Sequence, residues 1–159
     1  MSRGLHQNAQ RVQDALERLG FPFRVVELPQ STRTAVEAAQ AIGCEVGQIV
    51  KSLVFRGKRG GRPLLIVVSG ANRVNETSVA GLIGEPIEKA DADFVREQTG
   101  YVIGGVPPVG HLAPMETLID EDLMQYEEVW AAAGAPHAVF CLSPKDLARM
   151  SGGRVARVK

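Results

Sequence analysis

Three places in this chain carry residue types in an order that could do chemistry. Lys51 stands in Val50-Lys-Ser-Leu-Val-Phe55, where strand alternation puts it on one face with Leu53 and Phe55 while Val50, Ser52 and Val54 take the other. A lysine on a mostly apolar face is either a strand-end side chain snorkelling to solvent or a partly buried cation that holds an anionic or carbonyl-bearing ligand. Periodicity alone favours the former. The second place is Gly104-Gly-Val-Pro-Pro-Val-Gly-His111, whose prolines fix φ and whose glycines let backbone approach a ligand closely. Pro107 and Pro108 have no N–H, so Gly104, Gly105, Val106, Val109 and Gly110 supply whatever donors the loop offers. Such a loop either cradles an oxyanion or is a stiff connector. The third is Arg56-Gly-Lys58-Arg59-Gly-Gly-Arg62: from Lys51 through Arg62 there are five basic residues and no acid. Those bases form a phosphate contact or a solvated hairpin tip.

Other catalytic signatures are missing. There is no GxSxG, HExxH or GxxxxGK[ST] pattern, and Lys51-Ser52 follows Val50 where a phosphate loop needs glycine. Cys44 and Cys141 lie far apart without CxxC spacing, which argues against a zinc ribbon or disulfide framework and for a reducing compartment. Cys44 at a helix end beside Glu45, and Cys141 in an apolar strand, read as small buried thiols. His6, His111 and His137 share no ligand spacing, so neither a metal nor another cofactor is expected.

The elements that must position these residues can be read from periodicity and punctuation. Val12, Ala15, Leu16 and Leu19 fall at helical spacing, ended by Gly20 and Pro22. Phe23 to Leu28 suggests a short strand, and Thr34-Ala-Val-Glu37 is a capping box opening an Ala-rich helix that ends at Gly43. Val50–Phe55 and Pro63–Ser69 form a hairpin whose second strand is apolar enough to be buried on both faces. Glu76–Leu82 and Asp91–Gln98 read as short helices, Glu116–Asp120 and His137–Leu142 as strands. Ser143-Pro144 opens a helix that Gly152-Gly153 ends, and Arg154–Val158 is a last strand. No steady βαβ rhythm appears, so a mixed sheet or barrel flanked by helices is expected rather than a doubly wound parallel sheet.

Length and composition bound the answer. The chain has 159 residues, 45% hydrophobic and 23% charged, which suits one globular domain over residues 1–159. Lys plus Arg equals Asp plus Glu at 18 each, so any anion site is a local patch. Glu116, Asp120, Glu121, Asp122, Glu127 and Glu128 form an acidic stretch, which makes the surface strongly dipolar if it lies far from the basic hairpin. No apolar run approaches a membrane span and the N-terminus lacks a signal-type core, so a cytoplasmic protein without a membrane partner is expected.

Taken in order, Thr34 to Ala39, Gly43, Gln48 to Phe55, Val68-Ser-Gly70 with Asn72-Arg-Val74, Thr99-Gly100, Gly104 to Gly110 and Ile119-Asp-Glu121 resemble the YbaK/ProX family. The match covers most of the chain, from the second helix to the Ser143-Pro144 helix. These proteins are free-standing relatives of the editing domain inserted in bacterial prolyl-tRNA synthetases, and they hydrolyse wrongly charged aminoacyl-tRNA. The resemblance implies an α/β fold, a single domain with a mixed, barrel-like β-sheet surrounded by helices. It makes Lys51 the functional lysine and Gly104 to Pro108 the GxxxP substrate loop. It implies substrate contacts at Thr34, Ser69, Gly70, Pro107, Pro108 and Gly110.

An aminoacyl ester is already activated, so its hydrolysis needs oxyanion stabilisation and a placed nucleophile more than a strong protein base. On this reading Lys51 anchors the terminal phosphate or the aminoacyl group, amides of Gly104, Gly105 and Val106 meet the oxyanion, and Arg56, Lys58, Arg59 and Arg62 guide the acceptor stem. The expected substrate is tRNA(Pro) bearing a small wrong residue such as Cys or Ala, and the expected partners are aminoacyl-tRNA and prolyl-tRNA synthetase. A Ser- or Thr-tRNA deacylase, a non-catalytic tRNA-binding module and a small-molecule esterase or amidase are the alternatives. His137 falls near a pocket histidine of the relatives without aligning to it, and receives no role.

Overall fold

Five helices and eight strands, most of them where these local signals put them, make up the computed structural model, which describes residues 5–29 and 34–159. Helix α1 (Gln7–Arg18) buries Ala9, Val12, Ala15 and Leu16 along one stripe, with the His6 ring capping the Asn8 amide. Strand β1 is only Val26–Glu27, shorter than Phe23 to Leu28. The reason is local: the Gln13 side chain accepts from Val25 N–H at 2.8 Å and donates to the Phe23 carbonyl at 3.1 Å. A helix side chain thus satisfies backbone that a ladder would otherwise pair. Helix α2 (Ala35–Ile42) has both arms of the Thr34–Glu37 capping box and ends on Gly43 at φ 87°.

The hairpin of β2 (Ile49–Gly57) and β3 (Pro63–Ser69) is the centre of the sheet, with Lys51 opposite Val68. Then follow α3 (Glu76–Ile83), β4 (Ile87–Lys89), α4 (Ala92–Thr99), β5 (Glu116–Asp120), β6 (Val129–Ala132), β7 (Ala138–Leu142), α5 (Pro144–Ser151) and β8 (Arg154–Ala156). The ladder runs β1-β7-β6-β2-β3-β5-β8, and β4 pairs with the far end of β2. β2 is antiparallel to β3 but parallel to β6, and β3 is parallel to β5, so the sheet is mixed. Among the described residues β1 and β8 do not pair, so the sheet stays open rather than closing a barrel by hydrogen bonds.

Sheet alternation divides the core. Val50, Val54, Leu65 and Val67 join α1 and α5 on one face, while Phe55, Leu64, Ile66 and Val68 pack with Val79 of α3 on the other. That is why β3 is apolar at nearly every position. Strands β4 and β6 are absent from the sequence reading. Each is too short for periodicity to register, and tertiary pairing with β2 creates it. The last strand also stops early, because Val158 turns away to accept the Asn75 N–H through its carbonyl at 2.7 Å.

Candidate active site

The residues that the loops and β2 bring together line a cavity of about 540 Å³. Its walls come from the N-terminal end of α2, the first half of β2, the turn after β3, and Gly104 and Val106. Trp130 of β6 and Pro136 complete it. Lys51 is half-buried there and its Nζ donates to the Asn72 carbonyl at 3.0 Å. Burial first, and then the Arg73 guanidinium, lower its pKa from the ordinary lysine value of 10.5, against a weaker upward pull from Asp120. The side chain therefore does not simply snorkel into solvent.

The turn carrying Asn72 is itself pinned from below. Asp120, 0% exposed at the end of β5, accepts from the Ser69 N–H at 3.0 Å and the Asn72 Nδ2 at 2.8 Å through Oδ2, and from the Asp122 N–H at 2.9 Å through Oδ1. Ser69 donates its hydroxyl to the Gly47 carbonyl at 2.8 Å. Gly70 must be glycine, because a Cβ there would lie 2.6 Å from the Val46 carbonyl oxygen and 2.8 Å from the Ala35 Cβ. The sequence order Ser69-Gly70-x-Asn72 is thus a clamp that fixes where Lys51 ends.

Of the expected site residues, Lys51, Thr34, Gly70, Gly104 and Val106 line this cavity. Gly105 does not. Its N–H is spent on the Val102 carbonyl at 3.0 Å, its carbonyl accepts from Gly134 N–H at 2.8 Å, and a Cβ would sit 2.9 Å from the Gly134 backbone. Gly105 is a packing glycine, and its amide is unavailable to an oxyanion. Ser69 is 2% exposed and supports the clamp instead of facing substrate. Pro107 and Pro108 are buried outside the lining, with the Pro107 carbonyl 2.6 Å from the His111 Nε2. Gly110 lies with His111 and Tyr101 in a second cavity, which Arg11, Asp14 and Arg18 also line. The GxxxP segment therefore meets the main cavity through Gly104 and Val106, and its proline packs away from it.

The basic hairpin tip sits at the other end of β2, six residues beyond Lys51 or roughly 20 Å at strand rise. Arg62 is paired with Glu85 at 2.9 Å and with Glu116 at 2.8 Å, and Arg56 stacks over the Phe94 ring at 5.1 Å. Glu85 also accepts the Arg59 and Gly60 N–H groups. Lys58 and Arg59 keep side chains without a partner among the described residues. The Arg62–Glu116 pair brings the acidic stretch against the basic hairpin, so the condition for a strongly dipolar surface is not met there. Two more acids of that stretch, Asp120 and Asp122, belong to the clamp rather than to a solvated face.

Neither cysteine is poised for attack. Burial, followed by Glu128, pushes the Cys141 thiol up to about 11, and burial with a contribution from Glu45 raises Cys44. His137 pairs with Glu27 at 2.9 Å. Among the described residues no group of three or more His, Cys, Asp or Glu could hold a metal ion, and no helix is long and apolar enough to cross a membrane.

Four cavity features went unseen in the sequence reading: Asn72, Arg73, Trp130 and Ser52. Asn72 and Arg73 sit inside the motif used for the resemblance, yet nothing in their spacing reveals that the turn folds over Lys51. Ser52 is notable because its Oγ is buried with no hydrogen-bond partner, alone in this among the described side chains.

Comparison with known proteins bears on the family and the fold. Residues 29–150 match the family model described as "Aminoacyl-tRNA editing domain". Protein YwhH of Bacillus subtilis (strain 168), itself uncharacterized, is 34% identical over 131 residues, which is 82% of this chain and 83% of that protein. A protein of Enterococcus faecalis (strain ATCC 700802 / V583), provisionally named Cys-tRNA(Pro)/Cys-tRNA(Cys) deacylase EbsC, is 27% identical over 154 residues, covering 95% and 92%. A crystal structure described, also provisionally, as a trans-editing enzyme for prolyl tRNA synthetase superposes with a TM-score of 0.93 at 54% identity, covering 98% of this chain and 99% of that one. The resemblance read from the motifs is therefore confirmed along with the mixed α/β fold: the chain belongs to the aminoacyl-tRNA editing domain family, and by that membership it is an aminoacyl-tRNA deacylase.

Proposed function

We propose that this protein acts in trans, in the cytoplasm, to hydrolyse the ester of tRNA(Pro) carrying a small wrong amino acid such as cysteine or alanine, alongside prolyl-tRNA synthetase. The observation that carries the reading is the convergence of Lys51, Thr34, Gly70, Gly104 and Val106 on one cavity of about 540 Å³. That volume is in the range of small-ligand sites and suits an aminoacyl group with part of its nucleoside. The description of the 54%-identical structure supports the link to prolyl-tRNA synthetase, and the name of the EbsC relative supports cysteine.

Lys51 holds the acyl carbonyl or the α-amino acid backbone through its ammonium, which the Asn72 carbonyl orients. The amides of Gly104 and Val106 meet the oxyanion; Gly105 drops out because its N–H is occupied. The attacking group is water or a nucleophile on the substrate itself. Its oxygen or sulfur adds to the ester carbonyl carbon, the tetrahedral oxyanion collapses, the bond to the ribose oxygen breaks, and that oxygen takes up the nucleophile's proton. Where a side chain of the substrate attacks, the resulting lactone or thiolactone is then opened by water to the free amino acid. With both thiols held protonated, the protein contributes position and electrostatics rather than a covalent nucleophile.

One observation favours a second reading within the same family. The unpartnered Ser52 hydroxyl beside the cavity offers a hydrogen bond to a hydroxyl-bearing substrate, which suits seryl- or threonyl-tRNA. Deacylation of a panel of charged tRNAs decides between them. Preference for Cys- or Ala-tRNA(Pro) supports the first reading and preference for Ser- or Thr-tRNA the second. Binding without turnover of any member leaves a non-catalytic module.

A further inference from the structure

Among the described residues two charged side chains line the main cavity, Lys51 and Arg73, and both are cations; no described carboxylate lines it. Carboxylates on the elements that form its walls and their supports are committed elsewhere. Asp120 is buried beneath the turn, where it accepts from Ser69, Asn72 and Asp122, and Asp122 is paired with Lys159 at 2.7 Å. Glu37, at the α2 end of the cavity, accepts from the Thr34 N–H and hydroxyl.

Lys51 has a neutral partner in the Asn72 carbonyl. Arg73 has none: it is exposed at the cavity, and no hydrogen bond, ion pair or ring contact engages it among the described residues. Yet its backbone is anything but loose, since the preceding residue is held by both Asp120 and Asp122. A guanidinium fixed at its root, unpaired at its tip and set beside a second cation is arranged for an anion that arrives with the substrate.

We propose that Arg73 binds the phosphodiester on the 5′ side of the terminal nucleoside, one nucleoside away from the ester held at Lys51. This rests on the deacylase reading above and adds the RNA contact that the hairpin supplies poorly, because Arg62 and Arg56 are already engaged there. The planar guanidinium takes two phosphate oxygens side by side, which a lysine cannot do. Lys51 is then free for the acyl group.

The test compares Arg73→Ala and Arg73→Gln with wild type on two substrates, full-length aminoacyl-tRNA(Pro) and the matching aminoacyl-adenosine, which lacks the phosphate. Cysteinyl or alanyl esters are used, whichever wild type hydrolyses faster. Because the side chain is exposed and unpaired, thermal unfolding checks that both variants fold, and glutamine keeps most of the side-chain bulk.

Expected is a rise in KM on tRNA of about tenfold or more, the size of one charge-assisted contact, with kcat changed far less. The loss on tRNA should exceed that on aminoacyl-adenosine by about tenfold, and the slope of log kcat/KM against log salt should become shallower by about 0.7. Arg73→Lys should restore the salt slope but only part of the KM. Equal losses on both substrates, or an unchanged salt slope, overturn the assignment. Wild type that hydrolyses neither ester refutes the deacylase reading instead, so the two failures are distinguishable.

Discussion

Replacing Asp120 with asparagine should cost both stability and activity, for reasons that can be traced bond by bond. The carboxylate is 0% exposed and accepts three hydrogen bonds, two at Oδ2 and one at Oδ1. Asparagine fills the same space but offers one acceptor oxygen. Its better orientation keeps the oxygen toward Ser69 and Asn72 and sets an NH₂ against the Asp122 N–H. One donor loses its acceptor, at about 1–3 kcal/mol, and the two surviving bonds drop from charged to neutral strength, about 1 kcal/mol each. Relief from burying a carboxylate offsets part of this, so the net loss is about 2–4 kcal/mol. For a chain of this size that lowers Tm by roughly 5–15 °C. The Asn72 carbonyl should shift with the turn and loosen the 3.0 Å bond to Lys51, which predicts a loss in kcat of about tenfold or more at temperatures where the variant is folded. Urea unfolding and single-turnover deacylation measure the two effects. A variant within 0.5 kcal/mol of wild type, or one destabilised as expected but fully active, would refute the clamp.

Further predictions concern the site around it. Lys51→Ala should lose most deacylation, about 10² or more in kcat, while unfolding stays within about 1 kcal/mol of wild type, because one bond to a carbonyl is lost but a half-buried cation is relieved; activity within twofold of wild type would remove Lys51 from the site. Since burial and Arg73 favour its neutral form, background-corrected activity should fall on the alkaline side below the ordinary lysine value of 10.5, and the penalty that charged Lys51 imposes on folding should vanish as pH rises from its lowered pKa through 10.5. An alkaline limb at or above that value would contradict this. Gly105→Ala should destabilise by about 1–3 kcal/mol through its contact with the Gly134 backbone, whereas Pro108→Ala should cost less, and denaturant melts rank the two. Ser52→Ala should leave stability unchanged or raise it by about 1 kcal/mol, since it deletes an unpartnered hydroxyl; a clear loss of stability would mean that Ser52 has a partner in solution.

What the sequence determined by itself were the features governed by contacts a few residues apart. The Thr34–Glu37 capping box, the glycine stop at Gly43, the β2–β3 hairpin and the Ser143-Pro144 helix start all lie where local chemistry puts them. So does the face shared by Lys51, Leu53 and Phe55, because alternation along a strand needs no tertiary information. The family was legible too, since its motifs are strings of local residues whose order survives in one dimension. Tertiary structure decided whatever depends on a partner distant in the chain. Strand β6 exists because it lies beside Ile49 and Val50, and β1 is short because Gln13 of α1 reaches its backbone. Ser69 was read as a substrate contact, but Gly47 and Asp120 use its hydroxyl and amide. Gly105 is packed against Gly134, 29 residues away, which donates to its carbonyl, while the nearby Val102 carbonyl takes its N–H, and Arg62 spends its charge on Glu116, 54 residues away. A sequence states which groups a chain carries; whether a given N–H or cation is still free when substrate arrives is set by which distant groups the fold brings within about 3 Å of it.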